Sequence, residues 1–150
     1  MKITIEKTKL DDIKKVAAAL RDEDFCEAMA QHGDAMMALS VSAEKSDVCC
    51  TLFVDNIPCA IYGRVAASIL GDSANIWLLG TPELNKIKKS FMRISKHVIN
   101  DWLKEYPVLW AQVDGRYGKT HRWLKWLGFQ KFPGYELHGV EFNNFMIRRA

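Results

Sequence analysis

Five basic side chains in the second half of the chain crowd one short stretch after a Thr-Pro pair. They are Lys86, Lys88, Lys89, Arg93 and Lys96. Because the stretch has the pattern of a helix start, these charges would lie beside the positive end of the helix dipole, and a bound anion would relieve that conflict. Phosphates, a nucleic-acid backbone and an acidic protein surface are all suitable anions. The favoured interpretation is nevertheless a solvated outer helix face, which is where lysines usually lie.

A second polar group follows the next predicted strand. His121 could act as a general base, with Asp114 or Glu136 as the partner that orients its ring. Asp114 and Arg116 flank a glycine just after the strand, where functional loops often lie. The two could equally form a local pair that stabilises a turn, and an ordinary surface histidine is the alternative for His121.

The cysteines suggest neither a metal site nor a nucleophile. No C-x-x-C pair is present, and no spacing with histidine suits zinc. Cys49 and Cys50 are adjacent on a predicted strand and so face opposite sides of it, as reduced apolar residues would. Cys26 and Cys59 are the other two of the four cysteines. We therefore expect that the protein lies in a reducing compartment and binds no metal ion.

Composition predicts one globular domain over residues 1–150. The chain is 49% apolar and 26% charged, which is enough for a full core. No apolar run approaches the roughly 18 residues of a membrane span, and the start of the chain lacks the apolar region of a signal peptide. Residues 1–75 hold 8 basic and 12 acidic side chains, whereas residues 76–150 hold 13 and 6, so the second half is the one suited to anions.

Hydrophobic periodicity predicts the elements of the first half. Ile3 and Ile5 alternate with polar residues as in a strand, helical spacing follows over 13–20, and a second helical stretch over 25–39 contains Gly33. Residues 48–54 and 57–62 flank Asp55-Asn56, which predicts a β-hairpin. The predicted core face of that hairpin comprises Cys50, Leu52 and Val54 with Ile57, Cys59 and Ile61.

The second half alternates strands and helices. A buried strand over 74–79 is followed by Thr81 as N-cap and Pro82 as first residue of a long helix that ends before Pro107. A strand over 108–113, a helix over 120–127 capped by Gly128 and two final strands, one of them over 142–147, complete the order. The apolar stripe predicted for the long helix is Leu84, Ile87, Phe91, Ile94, Val98 and Trp102. Trp123 and Trp126 lie three residues apart on the shorter helix and are expected to be buried together.

The strand-helix-strand-helix order ending in Leu127-Gly128-Phe129 resembles the fold of the GNAT acetyltransferases over nearly the whole chain. The resemblance implies a single α/β domain with a mixed, mostly antiparallel sheet and helices on both faces. It also implies an opening between the strands that carry Trp77 and Trp110, although core packing is the favoured interpretation of both rings.

A narrower similarity is to a group of tailed-phage proteins that includes internal virion protein A. The matching segments are Trp77-Leu78-Leu79-Gly80-Thr81, Phe91 and Arg93, Val113-Asp114-Gly115-Arg116, the run from His121 to Phe129, and Phe142 and Phe145. This similarity implies a protein of the virion, or of genome or protein delivery, that acts by binding. Its expected locations are the host cytoplasm and the virion, and its expected partners are other virion proteins.

The GNAT resemblance also implies acetyl-CoA or CoA as cofactor, but its motifs are degenerate here. The glycine-rich pyrophosphate loop falls on Asn85, Lys88 and Ser90, and the position of the usual thiolate acid falls on Leu124. The alternative function is therefore an acyl-CoA-dependent N-acetyltransferase in which lysines replace the glycine loop and Tyr117 or His121 handles protons. The residues then expected at the cofactor are Leu79, Thr81, Lys86, Lys88, Lys89 and Ser90. Nucleic-acid binding is judged unlikely, because the lysines do not alternate with exposed aromatic residues and no recognition motif is present.

Overall fold

A computed structural model describes all 150 residues as an α/β fold with a seven-stranded sheet and five α-helices. The helices are α1 (Leu10–Ala17), α2 (Asp22–His32), α3 (Ala35–Lys45), α4 (Lys88–Glu105) and α5 (Gly118–Leu127), and a 3₁₀ helix (Pro82–Ile87) precedes α4. The strands are β1 (Ile3–Lys7), β2 (Val48–Val54), β3 (Ile57–Ala66), β4 (Ser73–Gly80), β5 (Val108–Asp114), β6 (Gln130–Leu137) and β7 (Val140–Arg148). The predicted order of elements is confirmed apart from an extra break in the second helical stretch.

The strands lie in the order β1-β2-β3-β4-β5-β7-β6. Strands β1 with β2, β2 with β3, β5 with β7 and β6 with β7 pair antiparallel. The parallel pair is β4 with β5, and its register covers only Ser73–Asn75 against Val108–Trp110. The predicted fold class, a mixed and mostly antiparallel sheet with helices, is therefore confirmed.

The internal contacts of the chain divide it into two compact units. Unit 1 comprises residues 1–65 and 77–88, and unit 2 comprises residues 66–76 and 89–150. The boundary between the two units falls inside β4, between residues 76 and 77, and again directly after Lys88, the first residue of α4. One domain over residues 1–150 stays a prediction.

The core of unit 1 is formed by α1, α2 and α3 with the inner residues of β3 and β4. Val16, Leu39 and Ile61 are inaccessible to water there, and Trp77 packs against them while its Nε1 donates to Ser46 Oγ at 2.8 Å. The break between α2 and α3 falls at Gly33, whose φ of 73° is the left-handed conformation that ends helices. Asp34 then caps α3 by accepting from the Met36 N–H at 2.9 Å.

The β2–β3 hairpin is confirmed, but its predicted core face is wrong. Asp55 and Asn56 both have positive φ, as a tight two-residue turn requires, and Val54 pairs with Ile57. A register shift between Leu52 and Phe53 then places Leu52 opposite Ala60. The face containing Cys50 and Leu52 is therefore shared with Tyr62 and Ala60, while Cys59 and Ile61 lie on the other face, because one extra residue reverses every side chain beyond it.

The predicted apolar stripe of the long helix is displaced by one residue. Leu84 and Ile87 are buried as predicted, but the buried residues of α4 are Ser95, Ile99 and Leu103, each one position after a predicted one. The first turns form a 3₁₀ helix, so the segment is not the single continuous α-helix on which the stripe was predicted. The N-cap at Thr81 and the end of the helix before Pro107 are confirmed.

The core of unit 2 lies where α4 and α5 pack against β5 and β7. Leu109, Leu124 and Phe145 are fully buried in it, and Trp123 packs against it. Trp126 was expected to be buried with Trp123, but it is 47% exposed. The C-cap predicted at Gly128 is confirmed. None of the helices in this fold has both the length and the apolar character needed to cross a membrane.

Candidate functional site

The loop that follows β5 in unit 2 is held by an aspartate–arginine pair. Asp114 is inaccessible to water, and its carboxylate accepts from Arg116 Nη2 at 2.6 Å and from Arg116 Nε at 2.9 Å. The backbone N–H of Arg116 donates to the same carboxylate at 2.9 Å. Asp114 and Arg116 therefore form the local turn-stabilising pair, one of the two alternatives that the sequence left open. The Arg116 side chain is 56% exposed.

Two opposing effects set the pKa of Asp114. Burial raises it, but the hydrogen bonds from the side chain and backbone of Arg116, together with the Arg116 charge, outweigh burial and hold the pKa of Asp114 below its usual value. The carboxylate thus stays ionised at neutral pH. Its charge is covered by a guanidinium that is itself in contact with water.

The ring of His121 is oriented by the backbone of Asp114 and by an aromatic neighbour. His121 Nε2 lies 3.2 Å from the carbonyl oxygen of Asp114, and the ring centroid lies 5.1 Å from that of Phe145. Because a carbonyl oxygen only accepts hydrogen bonds, Nε2 carries the hydrogen when this bond forms in the neutral ring, and Nδ1 is then the basic nitrogen. The orienting group that the sequence predicted as a carboxylate of Asp114 or Glu136 is thus the main chain of Asp114.

His121 favours the neutral form. Burial lowers its pKa from the usual 6.5, the positive charges of Lys131 and Lys125 lower it further, and the bond to Asp114 opposes them without reversing the direction. A neutral imidazole at neutral pH is the protonation state that a general base requires.

Tyr117, the other predicted catalytic residue, is the N-cap of α5. It is half-buried, the Arg116 guanidinium lies 5.6 Å from its ring centroid, and its carbonyl accepts from the backbone N–H of His121 at 3.3 Å. The structure therefore brings Tyr117 and His121 together in the first turn of one helix. Their catalytic roles stay predictions.

An open cleft of about 350 Å³ lies beside the Asp114–Arg116 loop. Gly115 lies at its wall and donates its N–H to the carbonyl of Glu141 at 2.8 Å. A Cβ at this position would lie 3.1 Å from the same oxygen, so the close approach of the two segments favours glycine. The cleft is lined by Gly115, Arg116, Lys131, Gly139, Val140, Glu141 and Asn143.

In unit 1 the predicted cofactor residues Leu79 and Thr81 lie at the end of β4, and both are buried. The Thr81 hydroxyl donates to the carbonyl of Cys59 at 3.1 Å and accepts from the Glu83 N–H at 3.3 Å, and the Thr81 N–H donates to Cys59 at 2.8 Å. These polar groups are therefore already bonded within the protein.

Asp24 was not predicted from the sequence to have a role. It holds Gly80, the last residue of β4, in place. Its carboxylate accepts from the Gly80 N–H at 2.9 Å and from Arg21 Nε at 2.7 Å, while the Arg21 N–H donates to the Gly80 carbonyl at 2.9 Å. Burial raises the pKa of Asp24, and the charge and hydrogen bonds of Arg21 and Gly80 only partly oppose it. The one local signal was the spacing of Arg21 and Asp24 on a helix, and nothing local pointed to Gly80.

The predicted lysines differ in their surroundings. Lys86 lies in the last turn of the 3₁₀ helix and forms an ion pair with Glu83 at 2.8 Å, and the Glu83 hydrogen bond and charge raise its pKa. Lys88 and Lys89 are the first residues of α4, both exposed, and no acidic residue lies in that first turn. Ser90 is half-buried, with its hydroxyl 3.5 Å from Arg93 Nη2.

These surroundings fit the phosphates of CoA in one respect and not in another. Backbone N–H groups at the end of β4 are bonded to Asp24 and Cys59, and the segment that follows is helical, so a free backbone cradle is missing. Exposed lysines without acidic neighbours at a helix start are, by contrast, suitable for phosphates. The side chains fit the cofactor, and the main chain does not.

The cysteine thiols and the side chains that could bind a metal form no further candidate site. Burial raises the pKa of Cys59 to about 12 and also raises the pKa of Cys49 and of Cys50, so these thiols stay protonated at neutral pH. No group of three His, Cys, Asp or Glu side chains is placed to hold a metal ion.

The same fold occurs in solved acetyltransferase structures. A GNAT-family acetyltransferase from Bacillus anthracis matches with a TM-score of 0.70 at 12% identity, covering 99% of this chain and 95% of the other. The aminoglycoside acetyltransferase AAC(6')-Ib, solved in complex with coenzyme A, matches with a TM-score of 0.71 at 13% identity, covering 99% and 95%. An N-acetyltransferase from Staphylococcus aureus matches with a TM-score of 0.68 at 8% identity, covering 99% of both chains. The chain therefore has a GNAT-like fold.

Sequence comparisons add no family. No protein-family model matches the chain, and no curated protein sequence matches it. None of the structures named above is described as a phage or virion protein. The role in the virion and the location in host cytoplasm or virion stay predictions.

Proposed function

We propose that this protein is an acyl-CoA-dependent N-acyltransferase. The observation that carries the proposal is the match of almost the whole chain to acetyltransferase structures, one of them solved with coenzyme A. Acyl-CoA supplies the activated acyl thioester. In the transfer the acyl carbon–sulfur bond breaks and a carbon–nitrogen bond forms, while the amine loses a proton and the thiol gains one.

The proposed role of His121 is to take the proton from the acceptor amine. Its neutral ring and the free lone pair on Nδ1 support this role, because a base must be unprotonated at the working pH. Tyr117 is the candidate for returning a proton to the thiolate, since it carries a phenol and lies one helical turn before His121. Holding the reactants in place can contribute much of the rate even with weak acids and bases.

Lysines take the proposed role of the missing glycine loop. Lys88 and Lys89 at the start of α4, and Lys86 just before it, would contact the phosphates as point charges rather than through backbone N–H groups. A cofactor held in this way would bind with strong dependence on salt.

A thermal-shift titration with acetyl-CoA and CoA tests cofactor binding. We expect a saturable rise in Tm that is lost in Lys86→Ala/Lys88→Ala/Lys89→Ala. Lys7→Ala/Lys14→Ala/Lys45→Ala removes the same number of exposed lysines from other elements of unit 1 and should keep the rise. The absence of any rise at millimolar ligand would contradict the proposal.

Release of free thiol from acetyl-CoA in the presence of a panel of amines tests the chemistry. His121→Gln keeps a donor for the Asp114 carbonyl and removes the base, so we expect a fall of about 10²-fold or more in kcat at neutral pH. Tyr117→Phe should lower kcat with little change in the Tm rise. Wild-type activity that neither substitution changes would remove both residues from the mechanism.

A further inference from the structure

The two helices of unit 2 carry basic side chains without acidic neighbours. No acidic residue occurs between Glu83 and Asp101 or between Asp114 and Glu136. Apart from Lys88, six exposed lysines and arginines of α4 and α5 fall in these two stretches, and we call them the basic face: Lys89, Arg93, Lys96, Lys119, Arg122 and Lys125.

Spacing places these residues on the outer side of each helix. Lys89, Arg93 and Lys96 recur at intervals of four and three residues, which share one side of a helix. Lys119 and Arg122 have the same relation on α5, and Trp126 continues their row.

Contacts between α4 and α5 join the two rows. The rings of Phe91 and Trp123 stack with centroids 5.4 Å apart. Further along, Lys96 Nζ lies 4.9 Å from the ring centroid of Trp126, which is 47% exposed. The basic face is thus one surface that includes an exposed aromatic ring.

Three other helical lysines of the protein are neutralised by a carboxylate, whereas those of the basic face are not. Lys15, Lys86 and Lys104 each form an ion pair with an acidic residue three or four positions away. None of the six residues of the basic face has an ion pair with an acidic side chain. Repulsion between unopposed charges of one sign lowers the stability of the unbound protein, and a bound polyanion relieves that repulsion.

We propose that the basic face binds single-stranded nucleic acid through its phosphates, with Trp126 as a stacking platform for a base. The row on α4 spans ~10 Å, over which one strand in duplex geometry presents about three phosphates. An exposed tryptophan between cations suits an unpaired base, because every base has a face on which a ring can stack. The sequence-based judgement against nucleic-acid binding depended on the lack of exposed aromatic residues beside the lysines, and Trp126 beside Lys96 is such a residue. The inference does not depend on the proposed enzymatic activity.

Fluorescence anisotropy with a labelled 20-nucleotide single strand, across a salt series, tests the proposal. We expect a Kd on the order of 10⁻⁵ M at about 150 mM salt, tightening as salt falls. Lys89→Gln/Arg93→Gln/Lys96→Gln should reduce the slope of log affinity against log salt by about 2. Lys119→Gln/Arg122→Gln/Lys125→Gln should have a similar effect, whereas Lys7→Gln/Lys14→Gln/Lys45→Gln, which removes three exposed lysines from unit 1, should leave affinity within about twofold.

Trp126→Leu separates stacking from charge. It should weaken single-strand binding by about tenfold and leave binding of a matched duplex, whose bases are paired, within about twofold. Equal binding of both forms with no effect of Trp126→Leu would overturn the single-strand assignment. Polyglutamate that binds as tightly as the oligonucleotide would show that an acidic protein surface is the partner, and no binding to any polyanion at low salt would overturn the inference altogether.

Discussion

Each unit of the protein contains one buried aspartate paired with an arginine, and the two pairs have opposite electrostatic character. In unit 1 burial dominates and raises the pKa of Asp24, whereas in unit 2 the bonds from Arg116 outweigh burial and lower the pKa of Asp114. The exposure of the partner differs as well, since the side chain of Arg21 is 22% exposed and that of Arg116 is 56% exposed. A carboxylate whose arginine partner is well hydrated keeps its charge at low cost, and one whose partner is largely buried does not.

The two aspartates also differ in what they hold. Asp24 bonds the N–H of Gly80, 56 residues away, and so fixes the end of β4. Asp114 bonds the N–H of Arg116, two residues away, and shapes the turn whose carbonyl orients His121. The same pair of residue types thus serves a long-range structural contact in unit 1 and the candidate catalytic turn in unit 2.

Removal of Asp24 should have the largest effect on stability. Asp24→Ala leaves the Gly80 N–H without its acceptor and removes the shorter of the two carboxylate contacts of Arg21, the other being Glu23. We expect the free energy of unfolding to fall by about 3 kcal/mol. Urea denaturation measures this value. Asp22→Ala removes an exposed carboxylate from the same helical turn and should cost under about 1 kcal/mol. Equal losses in the two variants would show that the buried pair has no special role.

Removal of Asp114 should cost less, although Asp114 is the less accessible of the two residues. In Asp114→Ala the exposed Arg116 guanidinium can turn into water, so the loss is that of a charge-assisted hydrogen bond, about 2 kcal/mol. Glu136→Ala, an exposed carboxylate of β6, is the matched control and should change stability by under about 0.5 kcal/mol. A loss larger than that of Asp24→Ala in the same urea experiment would contradict the comparison.

The pH dependence of stability should have opposite signs at the two sites. Asp24 has a folded-state pKa above the usual 3.8, so its protonation favours the folded state and stability rises as pH falls through the folded pKa towards 3.8. Asp114 has a folded-state pKa below 3.8, so its contribution is present above 3.8 and is lost as pH falls through the folded pKa. Unfolding free energies of the wild type, Asp24→Asn and Asp114→Asn between about pH 6 and pH 3 measure both slopes. As pH falls, the unfolding free energy of the wild type should rise relative to that of Asp24→Asn and fall relative to that of Asp114→Asn. If both differences changed with pH in the same direction, the two aspartates would have the same kind of environment.

Features that depend on neighbouring residues in the chain could be predicted from the sequence. The turn at Asp55-Asn56, the caps at Thr81 and Gly128, and the order of strands and helices are of this kind. The closeness of Asp114 and His121 could also be predicted, because the two residues are only seven positions apart, but their role stays a prediction. Features that depend on a local irregularity were not predicted. The register shift at Leu52 reverses the side chains beyond it, and the 3₁₀ turns before α4 interrupt a helix that was predicted to be continuous. Asp24 was missed because its partner Gly80 is distant in sequence, and the exposure of Trp126 was missed because spacing on a helix does not show which neighbour covers it.

The pKa of His121 should report the charge of Asp114, and this is the smallest of the expected effects. The Asp114 charge raises the pKa of His121 against the effects of burial and of Lys131 and Lys125. In Asp114→Asn the pKa of His121, followed by NMR of its ring protons, should therefore move further below 6.5, and in Lys125→Gln it should move back towards 6.5. Asp24→Asn is the matched control, because none of the groups that shift this pKa lies in unit 1. A pKa that stays the same in Asp114→Asn would mean that Arg116 neutralises Asp114 completely, and the turn would then orient His121 through its carbonyl alone.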